Sequence, residues 1–234
     1  APADAAAWAQ LAGVYGNQAG TGLRPVAEGY RLAREAASQA LAHDSASAAA
    51  HASLGWIAMT HDGDLAMAAQ HYSRALALAP DDIDVLNGAA LLSMNLGRLP
   101  AAIALNERLV MRDPGNSRLQ SNLASAYYAT GRWDESIAQS RQALALSPNG
   151  MFSHYLIAVA LLQQGQLQAA LAELRLEPEA GGWALVGFPM VWHVLGDTAQ
   201  ADAALAELIH KHENDSAYNI AYVQAFRGDA DQAF

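Results

Sequence analysis

Three prolines, Pro80, Pro114 and Pro148, stand 34 residues apart, and the chain repeats itself between them. Each interval carries an apolar stretch, a glycine near its middle (Gly97, Gly131), and a second apolar stretch that ends before the proline. A period of this length with a central turn predicts stacked helix–turn–helix units. Glycine after the first helix supplies a left-handed C-cap, and proline ends the second helix because it cannot continue it. Asp81-Asp82 and Asn116-Ser117 then fall where side chains can satisfy the free N–H groups of the next helix. The expected architecture is an all-α solenoid over 1–234. Its repeats run 5–47 with an insertion at 17–25, then 48–82, 83–116, 117–150, 151–181, 182–213 and a partial 214–234. In such an array each repeat packs only on its neighbours, so one continuous core is expected.

The 53% hydrophobic content, much of it alanine, suits close-packed helices. The net charge is −10 and Lys211 is the single lysine, so no basic stripe is offered to a phosphate backbone and no nucleic-acid partner is expected. No apolar run reaches the roughly 18 residues that span a bilayer, so direct membrane insertion of this chain is not expected. Cysteine is absent, which leaves out disulfide and thiolate chemistry. The sequence starts at Ala1 without methionine, so it is read as a processed product or as a piece of a longer protein.

The residues that recur resemble the tetratricopeptide repeat (TPR) family. The repeat from Ala48 has Leu54, Gly55, Gly63, Ala68, Tyr72, Ala75 and Pro80, with Gly63 one residue late. The repeat from Ile83 has Leu86, Ala89, Ala90, Gly97, Ala102, Leu109 and Pro114. The repeat from Ser117 has Leu123, Ala124, Tyr127, Gly131, Ala143 and Pro148, and that from Met151 has Ile157, Ala158, Gly165 and Ala170. The resemblance implies a right-handed superhelix of about six repeats plus a partial one, with no catalytic role and no cofactor. The stretch Ser147 to Phe234 also resembles the TPR portion of bacterial transmembrane regulators that carry winged-helix, cyclase or kinase modules. That likeness implies a docking or sensor role in signalling, and a periplasmic setting in preference to a cytoplasmic one.

Eight histidines raise a metal or catalytic reading, but His43, His51, His61 and His71 are scattered, and His210 and His212 do not share a helix face. No metal-ligand spacing, phosphate loop or nucleophile motif is present, so neither a metal site nor a catalytic constellation is expected. The groove implied by the family, lined by first-helix positions, maps onto Trp56, Met59, Asn87, Leu91, Met94, Arg118, Asn122, Tyr128, Phe152, Tyr155, Trp183, Met190, His193, Tyr218 and Tyr222. Aromatic residues, Met and Arg are the types enriched at interface cores. The carboxylate clamp of chaperone-binding relatives is not expected, because its positions hold Ala52, Trp56 and Gly88, and only Asn122 matches. The expected partner is a protein or peptide with an apolar or amphipathic segment. The alternative is a structural scaffold whose groove or C-terminal end packs on another copy. Pro189 is expected to kink its helix or delay its start, and the helix holding Tyr218 to Phe226 is expected to lack cover.

Overall fold

The computed structural model describes residues 4–179, 182–212, 216–229 and 231; Phe234 and part of the loop at 179–182 lie outside them. Among the described residues there are thirteen α-helices and no strand. The chain divides into two compact units, Ala1–Arg112 and Asp113–Phe234. The first holds the pairs α1 (Ala5–Gly20) and α2 (Val26–His43), α3 (Ala48–Ile57) and α4 (Leu65–Leu78), and α5 (Ile83–Asn95) and α6 (Leu99–Arg112). The second holds α7 (Ser117–Ala129) and α8 (Trp133–Leu146), α9 (Ser153–Gln163) and α10 (Leu167–Leu174), α11 (Trp183–Leu195) and α12 (Thr198–His212), and the single helix α13 (Ala217–Arg227).

The helix ends follow the local chemistry of the sequence. Asp82 caps α5 by accepting from the N–H groups of Asp84 and Val85, both at 3.0 Å. Asn116 caps α7 through Leu119 N–H at 3.4 Å. Asp81 acts differently. Its carboxylate pairs with Arg108 at 2.8 Å and Arg112 at 3.4 Å, tying α6 back to the turn that precedes α5. Small residues make the crossings. Ala68, Ala75, Ala102 and Ala170 are fully buried, where their short side chains let the helix axes approach.

The late glycine has a structural answer. α3 continues into a π turn, Ala58–Asp62, and Gly63 then closes it in the left-handed conformation at φ 69°. A π turn takes one residue more than an α turn, so the extra residue of this repeat is absorbed within its first helix.

Within the expected insertion 17–25, α1 stays helical to Gly20 and only 21–25 turn. Of the two outcomes expected of Pro189, the late start is not seen: α11 begins at Trp183 and carries Pro189 inside it, buried. The helix holding Tyr218 to Phe226 is not bare. In α13 Val223 and Gln224 are buried, and Arg227 reaches α12, donating to the Ala201 carbonyl at 3.2 Å and to the Asp202 carboxylate.

Candidate functional site

In the first unit the expected groove residues sit on α3, the π turn and α5. Trp56 is half-buried, as are Asn87 and Met94, and Leu91 is exposed. Met59 is corrected: it is only 7% exposed and packs with Ala68, Tyr72, Ala89 and Leu92. It lies within the π turn, whose changed winding breaks the α-helical spacing used to place it on the groove face.

The core beneath this face is keyed by Tyr72 of α4. Its ring lies 2.9 Å from where a Cβ of Gly55 would be, and nearer still to that of Gly88. Glycine on both α3 and α5 is therefore what admits the ring. Burial, and then the charge of Asp84, hold the Tyr72 phenol well above its ordinary range. On the same helix pair, His51 of α3 and His71 of α4 face each other with Nδ1 to Nδ1 3.1 Å apart. His71 is held below its ordinary value, first by burial and then by His51.

In the second unit the structure gathers most of the aromatic residues read from the sequence. Phe152, Tyr155 and Trp183 pack ring on ring, with centroids 4.5 Å apart for Phe152–Trp183, 5.5 Å for Phe152–Tyr155 and 5.4 Å for Tyr155–Trp183. Such spacings are those of favourable offset and edge-on aromatic pairs. The hydroxyls of Tyr128 on α7 and Tyr222 on α13 lie near each other. Ionisation of the Tyr155 hydroxyl is suppressed by burial first, and then by Tyr222, Tyr128 and Tyr218 around it. Burial also leads for Tyr222, followed by Tyr128. Four tyrosines from α7, α9 and α13 thus converge. Tyr155 is the inner member at 7% exposed, while Tyr222 is 36% and Tyr218 82% exposed.

This placement corrects two more expectations. Tyr155 supports the cluster from within the core, and Met190, fully buried among α11 core residues, lines no surface. Of the others, Arg118 and His193 are exposed, with His193 edge-on to Phe226 at 6.3 Å, and Asn122 is half-buried.

The cluster rests on a residue outside the sequence-based set. Glu177, 4% exposed, follows α10 and turns its carboxylate onto the start of α9. Oε2 accepts from Tyr155 N–H at 2.9 Å, and Oε1 accepts from Phe152 N–H. Phe152 holds φ 78°, the single positive value of a non-glycine residue among those described, and its own side chain offers no cap. Glu177 supplies the missing cap from about one helix pair away in sequence and fixes the backbone that aims Phe152 and Tyr155. Beside it, His154 Nδ1 meets Glu173 Oε2 at 2.7 Å. A second surface feature is an open cleft between α11 and α12, walled by Leu185, Phe188 and Trp192 and closed at its ends by Gln200 and Glu207.

Among the described residues no three His, Cys, Asp or Glu side chains are placed to enclose a metal ion. No helix there is long and apolar enough to cross a membrane.

Comparison with known proteins agrees with this fold. Family models described as tetratricopeptide repeat match residues 26–83 and 59–125. A model described as anaphase-promoting complex, cyclosome, subunit 3 matches residues 95–175. No curated protein sequence matches the chain. Among solved structures, PilF of Pseudomonas aeruginosa is 21% identical over 94% of this chain and 96% of its own, with a TM-score of 0.69. PilW, described as a widely conserved type IV pilus biogenesis factor, is 18% identical over 92% of this chain and 98% of its own, with a TM-score of 0.72. MamA of MSR-1 is 26% identical over 68% of this chain and 88% of its own, with a TM-score of 0.56. Tetratricopeptide-repeat models thus match residues 26–125, and over more than nine-tenths of its length the chain shares the helical solenoid fold of PilF and PilW.

Proposed function

We propose that the chain is a non-catalytic protein-interaction module that holds a partner segment through the aromatic cluster of its second unit. One observation carries this reading: Tyr218 and Tyr222 of α13 are exposed near Tyr155, whose ring packs with those of Phe152 and Trp183. Rigid aromatic side chains exposed on a packed support lose little conformational entropy on binding, and they are the type that anchors interfaces. Neutral phenols accept and donate hydrogen bonds at their rim while their faces take apolar contact. The partner is therefore a protein or peptide with an apolar or amphipathic segment. Asn122 and Arg118 of α7 are the polar groups assigned to its backbone. In the first unit Trp56, Asn87, Leu91 and Met94 form a smaller candidate surface. The docking or sensor role within a larger bacterial assembly, in a periplasmic setting, follows from the resemblance of Ser147 to Phe234 to regulator TPR regions.

The test is a peptide-array or pull-down comparison of wild type with Tyr218→Ala/Tyr222→Ala. These residues are exposed enough to change without opening the core, unlike Tyr155. Binding should fall about tenfold or more, the effect of losing one or two interface anchors. Equal binding by a correctly helical variant would move the site elsewhere. A concentration-dependent mass lost in the same variant would favour the self-associating scaffold.

A further inference from the structure

A feature of the first unit has no place in that reading. His51 and His71 come from the two helices of one repeat, α3 and α4, and both are half-buried. They meet through the same ring atom, Nδ1 to Nδ1 at 3.1 Å, with ring centroids 5.4 Å apart and planes tilted by 40°. Without a metal, one nitrogen must carry a proton and donate it to the other, since two bare lone pairs would repel. The same spacing suits another occupant. Imidazole nitrogens bind first-row metals at about 2.0–2.1 Å. Two nitrogens 3.1 Å apart at that radius subtend roughly 98° at the metal, a cis pair of positions between square-planar and tetrahedral values.

We propose that His51 and His71 form a two-histidine site for one divalent first-row ion of the imidazole-preferring kind, with copper(II) the preferred occupant. The helix backbones that carry the two rings are set before any ion arrives. Ser47 caps α3 through Ala50 N–H at 3.3 Å, Asp64 caps α4 through Met67 N–H at 2.9 Å, and Tyr72, next to His71, is locked between Gly55 and Gly88. Preorganised ligands on regular helices cost little to assemble. Two imidazoles in cis, with no third His, Cys, Asp or Glu grouped with them among the described residues, leave other positions open to water. An open, nitrogen-donor arrangement of this kind suits tetragonal copper(II) or nickel(II) better than the closed tetrahedral sets of structural zinc, and it excludes calcium and magnesium, which take oxygen ligands. The bound ion would clamp the two helices of this repeat together.

The experiment titrates the purified chain with copper(II) alone, by calorimetry and by electron paramagnetic resonance. The variants are His51→Ala, His71→Ala and the control His210→Ala/His212→Ala, each checked for helicity. Wild type and control should share a site of one ion per chain. Each single variant should weaken it by about tenfold or more, as expected when one of two ligands is lost. Histidine-ring nuclear magnetic resonance signals of the unaltered protein supply a measure that needs no variant: at substoichiometric copper, His51 and His71 should broaden before the other six. Full affinity in His51→Ala, or broadening that begins at other histidines, would overturn the assignment.

Discussion

Gly88→Ala reads out the keyed core directly. Alanine in place of glycine within a helix normally stabilises, by about 0.5–1 kcal/mol. Here the added Cβ would fall well inside 3.0 Å of the hydroxyl and ring of Tyr72. The ring has little room to slide the other way, because it already lies so close against Gly55 of α3 that a Cβ there would be 2.9 Å from it. Nor can it swing outward, being 3% exposed. The clash is resolved only by shifting α5 or expelling the ring, and overpacking of this sort costs about 1–3 kcal/mol, more when no rotamer relieves it. The cost wins, leaving a net loss of about 1–2 kcal/mol. For a chain of this size that lowers the thermal midpoint by roughly 2–8 °C. The assay is urea and thermal unfolding of wild type, Gly88→Ala, Tyr72→Leu and the double variant. The smaller leucine should relieve the clash and expose the helix-propensity gain, so the coupling in the double-mutant cycle should exceed about 1 kcal/mol. A raised midpoint in Gly88→Ala alone, or the same loss in both backgrounds, would refute the reasoning.

Three further outcomes are expected. Glu177→Ala strands the N–H groups of Phe152 and Tyr155 at a buried helix start and should cost about 1–3 kcal/mol, with the near-ultraviolet signal of the aromatic cluster lost first; unchanged stability would show that water caps α9 equally well. Tyr72, Tyr155 and Tyr222 are all pushed above the ordinary phenol value of 10.0, so the unfolded chain releases their protons first: their contribution is complete below pH 10 and is lost as pH rises beyond it, and absorbance titration should show them ionising together with unfolding rather than before it. Deleting Thr60 from the π turn should be tolerated within about 1 kcal/mol, because an α turn then suffices, whereas deleting Ser125 from α7 should cost several-fold more by throwing the rest of that helix out of register; equal losses in denaturant unfolding would remove the insertion reading.

What could be read without coordinates was local. Helix pairs, the turns at Gly97 and Gly131, the cap at Asp82 and the stop at Pro148 each depend on residues within a few positions of one another, so period and residue type suffice. The aromatic residues of the candidate site were named from the groove positions that the family resemblance implies. Their roles were not legible. Met59 and Met190 carry the same groove-type chemistry as Met94, and only burial separates them. Tyr155 and Tyr222 read alike in sequence, yet one supports the cluster and the other presents it. The cap of Glu177 on Phe152, the ring of Tyr72 between Gly55 and Gly88, and the meeting of His51 with His71 join residues 16 to 25 positions apart. A repeat pattern states that two helices pack, and small shifts in their crossing decide which side chains touch. Those contacts depend on distances of an ångström or less across helices, to which a hydrophobic period is blind.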